Sequence, residues 1–495
     1  MSSSQNYQEI VWKENKRVEV RKNESFGYSL VAKKDYKAGD VIINEKPYAF
    51  GEGDEDAECY FSFIQRAIGK TIMNIRKTDL RGTTRGNKDR ERTRTFADLT
   101  VVRELDYDRA ILRDELIGNK FYTSMNGHEV LSGGYEVDDI VGIVNRCTLN
   151  SFRVKTLERK DLSVAQMVVA EAADLVDMYV EIGDEKTLAV GVFVLASALN
   201  HSCVPNAFAS FAEPKEEEDN GRAGTSTASR SNDKPEIFTT SEEENKITIR
   251  ACKPIEHGEE ITVSYGPVFH SGNLEERRKA LKRTHQFICR CKRCNLESQE
   301  LGENLEQKME QIKKKQEVVG DLIHNYVESG KYETDEVLKA LTKFNMDIRK
   351  MKVFGKACFD IAAQLVQDEQ FAQACEYQTL ALHSLILRCE GIDEDDISIA
   401  WEILRLLFVK RLVKLRGNVQ LSSNVMKDLD LVHRAKRILK RYHGRSKYPY
   451  EMFLQSVQSD PLEVPRRMKK RSSSDGSAIK EEEEESEDHF RDSTP

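Results

Sequence analysis

Three cysteines lie within six residues of one another, in the segment Cys289-Arg290-Cys291-Lys292-Arg293-Cys294, and this cluster constrains the fold strongly. A tetrahedral structural zinc site takes four Cys or His ligands, so three neighbouring thiolates supply most of such a set. The C-x-C-x-x-C spacing cannot supply the fourth ligand locally. The fold must therefore bring a remote segment of the chain to these cysteines.

The N-terminal sequence favours thiols over disulfides. The segment Met1-Ser2-Ser3-Ser4-Gln5 lacks the charged-then-apolar layout of a secretory signal, and no apolar run reaches the roughly 18–20 residues of a membrane span. We therefore expect an intracellular protein, in the nucleus, the cytoplasm or both, without a membrane partner. Disulfides are rare in those compartments, so one structural zinc is favoured over disulfide pairing or a fortuitous cluster.

Length and charge limit the remaining function classes. The chain has 495 residues and a net charge of −8, from 76 Lys+Arg and 84 Asp+Glu. That length allows roughly two to four domains, and the mildly acidic balance argues against a general nucleic-acid coat. We expect a monomer that does not bind nucleic acid directly.

The distribution of residue types along the chain predicts an α+β protein. Alternating apolar residues between turns indicate short strands over 16–50 and again over 190–268, with a helical insertion over 51–189 between them. The helix is expected to extend from Tyr135 to Phe152. A basic loop at about 76–95 and an acidic insertion at about 213–236 are too polar to order themselves.

The character of the sequence changes after Cys294. Residues 301–460 contain few glycines and prolines and predict consecutive amphipathic helices. One hairpin, Ala357–Leu365 followed by Phe371–Leu387, resembles a tetratricopeptide-type pair. The tail, 464–495, is predicted to be disordered; its basic run from Arg466 to Arg471 is a candidate nuclear import signal, although such runs are common in tails.

Two further segments carry polar groups suited to chemistry. Asn200-His201-Ser202-Cys203-Val204-Pro205-Asn206 follows an apolar run and predicts a constrained loop on a buried base, or equally a polar turn with a structural cysteine. The segment from Gly258 to Gly266 (GEEITVSYG) predicts a turn and a strand that ends on Tyr265. A tyrosine in that position is more often a packing residue than a catalytic one.

Taken in order, these three segments resemble the SET-domain protein lysine methyltransferases, in particular the SMYD-like branch with a split SET domain. Further matches are Phe26-Gly27-Tyr28-Ser29-Leu30 at the glycine-rich start, Asn150-Ser151-Phe152, and the run from Glu276 to Leu281 before the cysteines. The resemblance implies a SET domain split by the helical insertion, a zinc-bound post-SET segment over 269–298, and a C-terminal domain of tetratricopeptide-like helical hairpins.

The resemblance also implies a site, residue by residue. Tyr265 would be the active-site phenol, and Phe152 would line the channel for the target lysine. Cys203 would be the fourth ligand of one structural zinc, with Cys289, Cys291 and Cys294. The residues implied to bind S-adenosylmethionine are Gly27, Tyr28, Ser29, Asn150, Asn200, His201, Tyr265 and Phe287.

Two departures from the family pattern affect these expectations. Ser29 stands where the first motif usually has a second glycine. The MYND zinc finger needs seven cysteines and a histidine, but residues 47–126 contain only Cys59 and no histidine, so the finger is absent. Partner or DNA contacts assigned to that finger are therefore not expected.

The activity implied is methyl transfer from S-adenosylmethionine to the ε-amino group of a lysine in a protein substrate, either a histone tail or a non-histone protein. One alternative is a catalytically inactive SET-fold scaffold that binds protein partners through its helical domain. Another is a tetratricopeptide-like adaptor, which would leave the N-terminal residues unexplained.

Overall fold

The structure, a computed structural model, describes residues 17–23, 27–52, 143, 146–147, 150–157, 171–183, 185–211, 246–285, 287–329, 346–416, 428–444 and 454. The segments predicted to be disordered, at 76–95, 213–236 and 464–495, lie outside these ranges, as does much of the predicted helical insertion. None of the described helices is both long and apolar enough to cross a membrane.

The strands lie in the first part of the described chain and are short. Their bounds are β1 Val18–Asn23, β2 Gly27–Ala32, β3 Val41–Glu45, β4 Ala49–Glu52, β5 Ser151–Leu157, β6 Glu185–Val192, β7 Asn200–His201, β8 Ala207–Phe211, β9 Ile247–Ala251 and β10 Thr262–Val263.

These strands form four small sheets that interleave distant parts of the chain. β1 and β2 form an antiparallel hairpin, while β7 and β10 pair in parallel. The three-stranded sheets have the orders β3-β9-β8 and β4-β6-β5, with antiparallel neighbours. Each three-stranded sheet therefore combines strands from before residue 53 with strands from after residue 150.

Side chains that alternate between inward and outward positions along the strands form the core of this β region. In β9, the inward side chains of Ile247, Ile249 and Ala251 are fully buried. They pack in one cluster with residues of β1, β2 and β3 and of the segment that precedes β7. Period-two burial on short strands thus joins the two sequence-distant halves around one apolar core.

The prediction of a helical insertion over 51–189 is wrong in part, because this range also contains strands. The described residues between 143 and 150 are helical, but β5 begins at Ser151 and includes Phe152, where the predicted helix continued. The sequence SFRVKTL alternates with a period of two and favours a strand. The predicted boundary at residue 190 falls within β6, where Gly191 lies opposite Phe50 and Phe152.

Helices α1 to α8 complete the described elements, and all but the first follow the strands. Their bounds are α1 Ala172–Val180, α2 Leu274–His285, α3 Lys292–Leu301, α4 Leu305–Glu328, α5 Lys352–Gln367, α6 Phe371–Cys389, α7 Ile397–Arg416 and α8 Asp428–His443. The described part after residue 300 consists of helices joined by short loops and has no strand, as predicted, and α5 and α6 form the expected hairpin. Its tetratricopeptide-like character stays a prediction.

The helical region packs directly against the β region. The ring of Phe208 in β8 lies 5.1 Å from the ring of Tyr442 in α8. Lys253, just after β9, forms an ion pair of 2.9 Å with Asp393 in the loop between α6 and α7. The hydroxyl of Tyr179 in α1 donates to the side chain of Gln378 in α6. The first two contacts join the helical region to the β region, and the third joins α1 to α6.

Glu45, at the end of β3, holds the turn that leads into β7. Its two carboxylate oxygens accept the backbone N–H groups of Leu195 and Ala196, each at 2.8 Å. These amides begin the short 3-10 turn Ala196–Ala198, whose first N–H groups lack partners within the turn. A side chain from the first half of the fold thus fixes a segment of the second half.

We predict that Glu45→Gln loosens this turn. The amide can accept one of the two hydrogen bonds but presents an N–H group to the other, which costs about 2 kcal/mol, or about 30-fold in an opening equilibrium. Hydrogen–deuterium exchange of the peptide that contains Leu195 and Ala196 should accelerate by that factor. The exposed Glu300→Gln serves as the control, and exchange equal to the wild-type rate in both variants would contradict the assignment.

Candidate functional site

The candidate site forms where the segment from Leu199 to Asn206 meets β10. Asn200 pairs with Thr262 and His201 pairs with Val263, in parallel. Both strands have only two residues, so this pairing alone contributes little stability. Side chains from both segments supply the remaining contacts.

Asn200 connects this pair to β2. Its Nδ2 group donates to the backbone carbonyl of Tyr28, at 3.1 Å, and to Oε1 of Glu260, at 2.7 Å. Both donor hydrogens of the amide are thereby engaged. The structure brings Asn200 and Tyr28 together, two residues predicted from distant motifs to share one site.

His201 links the same strand to Tyr265. Its Nδ1 atom accepts the backbone N–H of Tyr265 at 3.1 Å, while Nε2 lies 3.5 Å from Sγ of Cys203. Burial lowers the pKa of His201 to about 4, so the ring is neutral near pH 7. A neutral ring that accepts at Nδ1 carries its proton on Nε2, the atom that faces the cysteine.

Tyr265 lies immediately after β10 and faces back over β7. Its hydroxyl donates to the backbone carbonyl of Leu199, and burial raises its pKa above the ordinary value. The phenol therefore stays protonated at neutral pH and is held in one orientation. This bond satisfies the buried hydroxyl and fixes the phenol beside Asn200.

Phe287 and His285 complete an aromatic cluster around Tyr265. The ring centroid of Tyr265 lies 4.9 Å from that of His285 and 6.2 Å from that of Phe287. Phe287 also lies 6.0 Å from His201. Sequence reasoning selected Phe287 but missed His285, whose Nε2 lies 3.3 Å from the carbonyl oxygen of Tyr265 and acts as the donor. Its place four residues before Cys289 was the available signal.

Phe152, Asn150 and Ser29 lie at the edge of this arrangement. The ring of Phe152 packs edge-on against Phe193, with centroids 5.9 Å apart, and borders the same core as Tyr265. Asn150 is buried, and its Nδ2 group donates to the carbonyl of Arg146 at 2.8 Å. Ser29 is buried in β2, where its hydroxyl lies 3.5 Å from the carbonyl of Arg21 across the hairpin.

The four cysteines implied as zinc ligands form one buried cluster. The sulfur atoms of Cys203, Cys289, Cys291 and Cys294 all lie within 4.8 Å of one another. Sγ of Cys203 is 3.5 Å from that of Cys294 and 3.9 Å from that of Cys289, far longer than the roughly 2.05 Å of a disulfide. Tetrahedral Zn–S bonds of about 2.3 Å separate the sulfurs by about 3.8 Å, so this donor set fits zinc.

Asn206 was part of the motif that sequence reasoning quoted, but it had no role there. In the structure, its side chain joins the Asn200 loop to β10. Its Nδ2 group donates to the carbonyl of Glu260 at 2.9 Å and to Oε1 of Glu259 at 3.1 Å, while its Oδ1 accepts the N–H of Thr262 at 2.8 Å. The position directly after Pro205 was the only available sequence signal.

Part of the chain is similar to known proteins. Residues 27–266 match the family model of the SET domain. Protein-lysine N-methyltransferase SMYD4 of Danio rerio is 29% identical over 127 residues, which cover 26% of this chain and 16% of that protein. Histone-lysine N-methyltransferase Smyd1 of Mus musculus is 33% identical over 109 residues, which cover 22% of this chain and 18% of that protein. The alignments thus span about a fifth or less of these relatives.

A solved structure of the SET domain of LSMT bound to lysine and AdoHcy aligns with 94% of this chain and 96% of that one. Its TM-score is 0.30 at 10% sequence identity, which is too low to establish a shared fold over the whole chain.

We predict that Asn206→Ala destabilises the protein by about 3 kcal/mol. The substitution removes the partner of the Thr262 N–H and of the Glu260 carbonyl in half-buried surroundings, where each lost bond costs about 1.5 kcal/mol, toward the lower end of the range for fully buried groups. Urea unfolding followed by circular dichroism measures the change. The exposed Asn44→Ala in β3 should stay within about 0.5 kcal/mol of wild type; equal effects of both substitutions would refute the role of Asn206.

Proposed function

We propose that this chain, which carries a SET domain over residues 27–266, transfers a methyl group from S-adenosylmethionine to the ε-amino group of a lysine in a protein substrate. The observation that carries the proposal is the fixed hydroxyl of Tyr265, bonded to the carbonyl of Leu199 next to Asn200. The lysine methyltransferase names of the relatives support a protein lysine as the acceptor.

Four of the residues assigned to the methyl donor, Tyr28, Asn200, His201 and Phe287, lie next to one another, which supports the fit. Asn200 bonds the Tyr28 carbonyl, and the adjacent His201 ring lies 6.0 Å from Phe287. We assign donor binding to this patch together with Gly27, Ser29 and Asn150. When bound, S-adenosylmethionine would supply an electrophilic methyl group, which passes in line to the neutral lysine amine as its bond to sulfur breaks and S-adenosylhomocysteine leaves.

The chain's own residues would align the methyl group with the lysine amine and exclude water from the amine, and they need not perform acid–base chemistry. The protonated hydroxyl of Tyr265 would fix the direction in which the methyl group faces the lysine. Such alignment lowers the barrier through proximity and orientation. Phe152, as the wall of the lysine channel, disfavours the charged ammonium form of the substrate by desolvation. The amine then attacks in its neutral form.

We also propose that Cys203, Cys289, Cys291 and Cys294 hold one structural zinc ion. The ion would tie the loop that carries Asn200 and His201 to the segment that carries Phe287. Because Cys203 and Cys289 are 86 positions apart, zinc binding would close a long loop next to the donor patch. The post-SET segment would thereby complete the site.

We propose the substrate, the partner and the cellular location in more general terms. The acceptor is a lysine on a histone tail or a non-histone protein, encountered in the nucleus or the cytoplasm. The helical region, which packs against the β region through Phe208 and Tyr442, would contribute to substrate selection.

The inactive scaffold remains the rival proposal, and it is motivated by Ser29 together with the long insertions in the SET region. The side chain of Ser29 is buried and contacts the carbonyl of Arg21 within the β1–β2 hairpin. The hairpin therefore accommodates this serine in its own packing. Ser29 is therefore no argument for the scaffold, whereas the presence of Asn200, His201, Tyr265 and Phe287 together favours catalysis.

We predict that Tyr265→Phe lowers turnover about 100-fold, because a misaligned methyl group loses orientation, while binding of S-adenosylmethionine survives, since the other donor residues remain. Radiolabelled methyl transfer to core histones and to a lysine-containing peptide library measures turnover, and calorimetry measures donor binding. Tyr36→Phe is the matched control, since that hydroxyl also bonds a backbone carbonyl, that of Arg17 at 2.8 Å. Unchanged turnover in Tyr265→Phe, or no binding of S-adenosylmethionine by the wild type, would contradict the proposal.

We predict that wild-type protein contains about one zinc ion per chain and that Cys203→Ala loses it, because three thiolates leave the tetrahedral set incomplete. Elemental analysis of purified protein measures the content. Cys358→Ala removes another buried thiol, in α5, and should retain the metal. Equal zinc content in both variants would contradict the assignment of Cys203 as a ligand.

A further inference from the structure

We propose that Arg277 is a positioning residue of the zinc site, whose guanidinium offsets the charge of the four thiolates and fixes the place of Cys294. The inference rests on the zinc ion proposed above and goes beyond it, because it assigns a function to a group that is not a ligand.

The charge of the site requires such a group. Four thiolates around one Zn²⁺ carry a net charge of −2, and all four sulfurs belong to one largely buried cluster. A buried net charge is costly unless it is paired. The side chain of Arg277 is only 2% exposed, so its own charge also requires partners inside the protein.

The contacts of Arg277 place its charge directly against the cluster. Its Nη2 atom lies 3.8 Å from Sγ of Cys294, within reach of an N–H···S hydrogen bond, and 2.6 Å from Oε2 of Glu297. Its Nη1 atom donates to the carbonyls of Phe269, at 3.2 Å, and Gly272, at 2.7 Å. Only a planar fork of donors satisfies these directions at once, which favours arginine over lysine.

These contacts reach both segments that carry the cysteines. Phe269, whose carbonyl accepts from Arg277, donates its own N–H to the carbonyl of Cys203 at 2.8 Å. Glu297 lies one helical turn after Cys294 in α3. Arg277 therefore bridges the neighbourhood of the remote ligand and the helix of the local ones.

The neighbouring Arg278 acts differently and shows the specificity of this contact. Its Nε atom donates to the carbonyl of Cys289 at 3.2 Å, and its Nη2 atom donates to the hydroxyl of Ser298 at 3.0 Å. These bonds hold the backbone of the cysteine segment, whereas the bond from Arg277 reaches a sulfur atom.

A simpler role for Arg277 would be to neutralise Glu297, which also pairs with Arg293 at 2.5 Å. The two roles make opposite predictions for Glu297→Gln. If Arg277 serves Glu297, removal of that carboxylate should disturb the site as much as removal of Arg277. If Arg277 serves the thiolates, Glu297→Gln leaves the guanidinium beside Cys294 and the site intact.

The test measures zinc release from the purified full chain to excess of the chromogenic chelator 4-(2-pyridylazo)resorcinol. Loss of an outer-shell partner typically lowers metal affinity about 10–100-fold, so Arg277→Met should release zinc faster by a factor in that range. Arg277→Lys keeps the charge without the fork and should be intermediate. Glu297→Gln should stay within about 3-fold of wild type, as should Arg283→Met, an exposed arginine of the same helix.

Each outcome decides the matter. Wild-type release rates in Arg277→Met, or rates in Glu297→Gln as high as those in Arg277→Met, would overturn the inference while leaving the zinc site in place. A wild-type protein without zinc would overturn the zinc proposal itself and this inference with it. If circular dichroism shows that Arg277→Met does not fold, Arg277→Lys replaces it as the test. A native spectrum with wild-type zinc release in Arg277→Lys would contradict a role for the guanidinium.

Discussion

The contact between the segment 199–206 and strand β10 is the interaction on which the rest of the site depends. Its backbone pairing involves only Asn200 with Thr262 and His201 with Val263, too little to hold two loops by itself. Three side-chain contacts reinforce it: the amide of Asn206, the ring of His201 and the hydroxyl of Tyr265 each cross from one segment to the other. Because His201 and Tyr265 also belong to the proposed methyl-donor site, the stability of the fold and the proposed function share these two bonds.

The interleaved sheets explain how residues far apart in sequence reach this contact. Strands from before residue 53 pair with strands from after residue 150 in both three-stranded sheets, so neither half can bury its apolar face alone. Glu45 adds a polar link, since its carboxylate holds the amides that precede β7. The cysteine cluster then adds a third connection, from Cys203 to the segment after α2.

Local patterns predicted much of this fold, and the failures have a physical reason. The strands near Phe208 and Ile249, and the hairpin α5–α6, follow from period-two and helical spacing in one stretch of sequence. Strand β5 was missed because the helix before it leads into Ser151 without a breaking residue. Asn206, His285 and Arg277 could not be assigned from the sequence, since their roles arise from bonds to atoms about 20 to 60 positions away or to partners with no distinctive spacing. Cys203 was reached only through resemblance to a family.

Calorimetric titration with S-adenosylmethionine, before and after zinc is removed by a chelator, tests the central claim most directly. That claim is that one donor site is assembled from the Asn200 loop, β2 and the Phe287 segment, with the cysteine cluster joining the outer two. We expect about one binding site per chain in the zinc-loaded protein, and strongly weakened binding once the metal is gone and the Phe287 segment is released. Binding that is absent in the zinc-loaded protein, or unchanged after zinc removal, would contradict it.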